Sequence, residues 1–144
     1  MMTQTEIPEA TRLAMALVGL SHHVLHLFND VGRGHDLTAQ QTELICAVIV
    51  RGRTRMADLS KLLHLEKSNL SGLVDRAEQR GLIVRTRDPK DRRATWVELT
   101  AEGERLAMRT HGVVTERLNR LVDQLPAEDQ RRLTAVVEQI TTGE

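Results

Sequence analysis

The 144-residue chain has a single cysteine, Cys46, so no disulfide can close within it, and a secreted chain of this size would more often carry several. A reducing, cytoplasmic location is expected. Aromatic residues are almost missing: Phe28 and Trp96 are the whole set, and there is no tyrosine. That argues against a large aromatic-lined pocket and against a platform for stacking single-stranded bases. No apolar run approaches the roughly 18 residues that cross a bilayer. The opening stretch MMTQTEIPEATR sets glutamates among its first apolar residues, which does not suit an export signal, so no membrane role is expected. Internal repeats, low-complexity tracts and long linkers are also lacking. So are a nucleophile elbow, a phosphate loop and a zinc-protease motif, and no enzyme activity, catalytic residue or cofactor is expected.

What is present is an ordinary folded composition, 40% hydrophobic and 28% charged, at a length that suits one domain. The formal net charge of zero conceals a segregation. Between Arg51 and Arg93 stand twelve Lys or Arg (Arg51, Arg53, Arg55, Lys61, Lys67, Arg76, Arg80, Arg85, Arg87, Lys90, Arg92, Arg93) against six acids (Asp58, Glu66, Asp75, Glu78, Asp88, Asp91). The middle of the chain is therefore basic and its flanks acidic. Such a footprint suits a polyanion, because each phosphate neutralised releases condensed counterions. A solvated basic helix face is the competing reading.

Periodicity predicts a mainly α chain. A first helix over about 8–29 carries the stripe Leu13, Leu17, Leu20, Val24, Phe28 and Val31, with Val18 and Leu25 off it, so that more than one side needs cover, from its own core and from a second subunit. Gly32 and Gly34 are expected to end it. The second helix opens with TAQQ, in which Thr38 and Gln41 can cap each other, and runs to about Val50. A third, from about Thr54, turns Met56, Leu59, Leu62 and Leu63 inward. A fourth follows the turn HLEKS and buries Leu70, Leu73, Val74 and Ala77. Gly81 stops it. Two strand-like segments, Leu82–Arg87 and Ala94–Leu99, flank the turn DPKDRR and form a basic hairpin, or wing. Thr100 caps a fifth helix through about Leu125, and Pro126 starts a sixth ending near Ile140.

A helix pair followed by a basic hairpin offers two probes of a DNA duplex. The second helix of the pair enters the major groove with its first turns. Asn69 can pair with adenine, Ser68 and Ser71 can bond bases or phosphates, and Lys67 suits a phosphate or guanine; Arg76, two turns on, suits the backbone. At the hairpin tip Arg92 and Arg93 cluster, and Arg93 is the candidate for a narrow minor groove, its side chain held in direction by Asp91. The bland alternatives are a three-helix core unit with a polar outer face and an ordinary salt-bridged hairpin.

The stretch DLSKLLHLEKSNLSGLVDRAEQRGLIVR, the order of six helices with a wing, and the spacing Asp91-x-Arg93-x5-Leu99-Thr100 resemble the MarR family of bacterial transcriptional regulators, whose signature is D-x-R-x5-L-T. The resemblance covers nearly the whole chain. It implies a winged helix-turn-helix lobe over about 37–100, with dimerisation helices over about 1–36 and 101–144. It further implies a homodimeric repressor of a pseudo-palindromic double-stranded operator, modulated by a small-molecule effector. Family practice places base contacts at Ser68, Asn69 and Ser71, a phosphate contact at Arg76, and the minor-groove probe at Arg93 supported by Asp91. Two positions depart from the pattern: His64 stands where the turn usually has glycine, and Gly72 where a basic or polar residue is frequent.

Two further signals concern regulation. His22 and His26 are four apart on the first helix, so they share a face, and His35, His111 or a carboxylate can complete a metal site; a polar interface is the competing reading. A metal-responsive regulator, and a non-DNA adaptor built on the winged fold, are thus the alternatives to an effector-controlled DNA binder. Cys46 lies among Ile45, Val48 and Ile49 and reads as a buried inert thiol rather than a redox switch. Trp96 is expected to pack rather than to bind ligand.

Overall fold

The computed structural model describes residues 6–143, so the export argument from the N-terminus rests partly on residues outside the described ones. The described order is α1 (Glu9–Arg33), α2 (Ala39–Arg51), β1 (Thr54–Arg55), α3 (Met56–Leu63), α4 (Lys67–Gln79), β2 (Ile83–Arg87), β3 (Thr95–Leu99), α5 (Ala101–Leu121) and α6 (Ala127–Thr142). No described helix is long and apolar enough to cross a membrane.

Local chemistry sets several of these boundaries. Thr38 Oγ1 accepts from the Gln41 backbone at 3.1 Å, while Gln41 Oε1 accepts from the Thr38 backbone at 2.9 Å, the reciprocal cap expected for α2. Thr100 Oγ1 accepts from Gly103 N at 3.0 Å and starts α5. His64 closes α3 in the left-handed region, at φ 52°, a conformation that usually falls to glycine or asparagine. The departure from glycine at that turn therefore leaves the turn itself intact.

Three boundaries differ from expectation. Gly32 lies inside α1 instead of ending it: a Cβ there would sit 2.5 Å from Thr42 Oγ1 and 2.7 Å from the Leu37 carbonyl, so its role is close passage of α1 against α2. α5 stops at Leu121 rather than near Leu125, and turns 122–125 lead to α6. Thr54 and Arg55 do not begin α3; they form β1, which pairs antiparallel with β3 through Thr54↔Val97 and Arg55↔Trp96. The wing is therefore a three-stranded sheet in the order β1-β3-β2. Two residues are too short a strand for any periodic signal in the sequence.

One core joins α2, α3, α4, the sheet and the start of α5, with Leu44, Ile45, Leu59, Leu70, Leu73, Val74, Leu82, Ile83, Val97 and Ala107 buried together. All four residues expected on the inner face of α4 are there. Leu62, expected inward on α3, is instead 38% exposed. A second small cluster, Leu27, Val31 and Val114 with Phe28 and Leu118, ties the end of α1 to α5. The helices beyond it are bare: Leu13, Leu17, Leu20, Val136, Val137 and Ile140 are each at least 44% exposed, and no residue of α6 is buried. An amphipathic helix of this length without tertiary cover is marginal in water.

Gly103 sets how near α5 can come to the sheet. A side chain there would overlap the Leu82 carbonyl, with the carbonyl carbon only 2.8 Å from the new Cβ. Gly103→Ala is expected to destabilise the fold by about 3 kcal/mol in urea unfolding, because backbone rather than a flexible side chain must yield. An unchanged transition midpoint would show that α5 can lift off without cost.

Candidate nucleic-acid interface

α4 presents its first turn to solvent. Lys67, Ser68 and Asn69 are exposed, Ser71 is half-buried, and Arg76 is exposed further along. Between this helix and the wing lies a cleft of about 730 Å³. Lys67 and Ser71 line it from one side, and Asp91 and Arg93 from the other. The structure thus brings four of the expected residues to one cleft, while Ser68, Asn69, Arg76 and Arg92 lie outside its walls. Arg55, Arg85 and Arg87 line it too, and none of these was singled out from the sequence. The signal for two of them was available. In Ile83-Val84-Arg85-Thr86-Arg87 the arginines alternate, which puts both on one face of a strand.

Arg85 differs from the other cations. Its guanidinium pairs with Asp75, donates through Nε to Glu78 Oε1 at 2.8 Å, and approaches the hydroxyl and carbonyl of Ser71 at 3.5 Å. Its side chain is 24% exposed. All three partners belong to α4, so a strand of the wing is fastened to the helix beside it. Because its charge is answered by two carboxylates, Arg85 adds little attraction for an anion and acts as a brace. Gly72 sits on the same helix, and a Cβ there would lie 3.4 Å from Arg76 Nη1, so Arg76 folds back over the position where a larger residue would stand.

The wing tip is closed by Asp88 N donating to Ala94 O and Ala94 N donating to Asp91 O, each at 3.0 Å. Asp91 does not clamp the Arg93 side chain as expected. Its Oδ1 accepts from the Arg93 backbone N–H at 3.0 Å, so it fixes the turn and leaves the guanidinium exposed. Proximity in sequence explains the difference: two residues on, the backbone amide is within closer reach than the end of the side chain. Asp88 is the busier carboxylate. It accepts from Lys90 N at 2.9 Å and from Trp96 Nε1 at 3.1 Å, and lies 3.6 Å from Arg55 Nη2. The Lys90 amide first, then the indole N–H, hold its carboxyl below the ordinary 3.8. Trp96 packs as expected, but under cations: Arg53 and Arg55 lie over its ring at 4.2 and 4.9 Å.

The regulatory candidates stand apart from this cleft. His22 and His26 are exposed on α1, His26 Nε2 lies 3.7 Å from Asp30 Oδ2, and His111 is on α5. Among the described residues no three histidine, cysteine or carboxylate groups converge to hold a metal ion. Cys46 is buried, with Sγ 3.8 Å from Thr110 Oγ1. Burial pushes its thiol pKa up, the Glu43 charge adds to this, and the Thr110 hydroxyl opposes it. Such a thiol is a poor nucleophile.

The sequence profile described as MarR family matches residues 35–94, the span of the helix pair and most of the wing. Over that span the chain is similar to the MarR family. Its relatives include the homoprotocatechuate degradative operon repressor of Escherichia coli, 26% identical over 127 residues, which are 88% of this chain and 86% of the relative. The multiple antibiotic resistance protein MarR of Escherichia coli K12 is 25% identical across 79% of this chain and 80% of its own length. The crystal structure of NadR in complex with 4-hydroxyphenylacetate superposes with a TM-score of 0.83 at 25% identity, over the full length of both chains. These relatives are transcriptional regulators rather than enzymes.

Two outcomes test the rigidity of this wing. Arg85→Met should cost about 1 kcal/mol of stability and speed amide exchange in β2, since its bonds to three residues of α4 are lost while the apolar stem is kept. Unaltered exchange would show that the wing is held by its sheet alone. Trp96 is the sole tryptophan, so its fluorescence reports on Asp88. A carboxyl held below its ordinary value contributes stability above the unfolded pKa and loses it as pH falls through the folded one. The fluorescence step should therefore fall below pH 3.8 and vanish in Asp88→Asn. A step at or above that pH would contradict the hydrogen-bonded carboxylate.

Proposed function

We propose that this chain is a homodimeric, DNA-binding transcriptional repressor of the MarR family that occupies a pseudo-palindromic operator in the cytoplasm and is modulated by a small-molecule effector. The observation that carries the reading is the cleft itself: the exposed first turn of α4 and the guanidinium-bearing wing tip share it, with Lys67, Arg55, Arg87 and Arg93 on its walls. A major-groove helix and a minor-groove arginine must reach adjacent grooves of one duplex at once, and a braced wing suits that. Ser68, Asn69 and Ser71 are assigned to base edges, Lys67, Arg76 and Arg92 to phosphates, and Arg93 to the minor groove, with Asp91 shaping the turn that carries it. The backbone N–H groups at the start of α4 add to the attraction for phosphate.

The homodimer is supported by the bare apolar helices. Leu13, Leu17 and Leu20 of α1, Met108 and Val113 of α5, and Val136, Val137 and Ile140 of α6 need cover that one chain does not provide. Burying such a side chain fully is worth about 1.5–3 kcal/mol. The domain division follows: 37–100 as the DNA-binding lobe, 1–36 and 101–144 as dimerisation helices, with Leu106 and Ala107 of α5 also in the lobe's core. For the effector, the bound 4-hydroxyphenylacetate of NadR makes an aromatic carboxylate the first class to test.

The duplex recovered by the protein from a random pool should be an inverted repeat that takes up two chains. Its affinity should fall steeply with salt, since phosphate contacts release counterions. Arg93→Ala should weaken binding by about 1–3 kcal/mol, and Asn69→Ala should relax preference at one base position in each half-site. No enrichment of any duplex, or a flat response to salt, would contradict the assignment.

A further inference from the structure

α4 is fixed at two places by arginines, and only one of them has a part in the cleft. Arg85 fastens its middle and later turns, at Ser71, Asp75 and Glu78, to the wing. Just past Glu78, Arg80, which caps α4, donates through Nη1 to the Asp36 carbonyl at 2.6 Å and through Nη2 to the His35 carbonyl at 3.3 Å. Those carbonyls belong to the turn that closes α1. Among the described side-chain hydrogen bonds and ion pairs, the two made by Arg80 are the ones that join α4 to that turn.

The turn is firm. His35 N and Leu37 N both donate to Gly32 O at 2.9 Å, Asp36 takes a left-handed φ of 56°, and Gly32 lets Thr42 and the Leu37 carbonyl approach too closely for any Cβ. α1 in turn is the helix whose first half is bare and awaits a partner chain. A continuous line of fixed geometry therefore runs from the dimer face, along α1, through residues 34–36 and Arg80, to α4.

We propose that Arg80 is a positioning residue: by gripping the His35 and Asp36 carbonyls it ties the tail of α4 to the end of α1, and so sets the spacing of the two α4 helices that a dimer presents to DNA. The inference rests on the dimeric DNA-binding reading above. A helix of thirteen residues is about 20 Å long, so a tilt of roughly 10° about the tail that Arg80 holds moves the Lys67 end by about 3 Å. That is close to the rise of one base pair, about 3.4 Å along each strand. Arg80 stands at the far end of α4 from Lys67 and takes no part in the cleft, so its effect is on geometry rather than on direct attraction.

The test uses the full-length protein and the duplex that the wild type selects, together with versions whose centre is one base pair longer or shorter, read by fluorescence anisotropy. The wild type should discriminate sharply among the three. Arg80→Ala should keep the wild-type melting temperature yet lose at least threefold of that discrimination, and Arg80→Lys, which restores a donor to the carbonyls, should recover most of it. Should alanine lower the melting temperature, Arg80→Gln carries the same expectation. An unchanged preference in a folded Arg80→Ala protein would overturn the inference and leave the DNA-binding reading standing. Equal weakening on all three duplexes would overturn it as well, since that marks a simple charge contact. A wild type that selects no duplex would sink the DNA-binding reading and this inference together.

Discussion

The bond between Arg85 and the acids of α4 is the constraint on which the candidate interface depends. A two-residue strand and a single hairpin make a small sheet, and an isolated hairpin is marginally stable in water. Here the sheet has one buried face, through Ile83 and Val97, and one ionic fastening, through Arg85 to Asp75 and Glu78. The first sets the distance of the wing from the core. The second sets its angle to α4. Without a fixed angle the cleft would have no defined width, and cations on its two walls could not address neighbouring grooves of one duplex together.

Most of the architecture was legible in the sequence because it rests on local rules. The Thr38–Gln41 cap, the inward face Leu70, Leu73, Val74 and Ala77, the stop at Gly81 and the cap at Thr100 each depend on residues within a turn or two of one another. What escaped depends on reach across the fold. Arg85 finds Asp75 and Glu78 only because β2 runs back beside α4. β1 exists only because Thr54 and Arg55 meet Val97 and Trp96 from more than forty positions away. Asp91 was misread in its means: the sequence showed an acid two residues before an arginine, and the nearer backbone amide took the bond. In the candidate site, then, the helix and the wing tip could be named from spacing, and the alternation of Arg85 and Arg87 placed them on one face of β2, whereas the wall supplied by Arg55 and the partners of the Arg85 brace could not be named.

The same contrast separates the two halves of the molecule. The lobe from α2 to β3 shares its core with the start of α5, while the first half of α1 and α6 expose regular apolar stripes that one chain leaves bare. A chain with few aromatics buries aliphatic surface, and aliphatic stripes on long helices suit association with a second copy. Cys46 and the histidines of α1 fit this division without adding chemistry to it. The thiol packs between α2 and α5 with its pKa raised, and His26 faces Asp30 at the foot of α1.

The central claim is that α4 and the wing engage one duplex as a single rigid unit in each subunit. Amide hydrogen exchange of the full-length protein, measured with and without a bound inverted-repeat duplex, tests it most directly. The account predicts slowed exchange in residues 67–71 and 88–94 together, at the same occupancy of duplex. Slowing confined to α1 and α6, or to the wing tip with α4 unaffected, would contradict it.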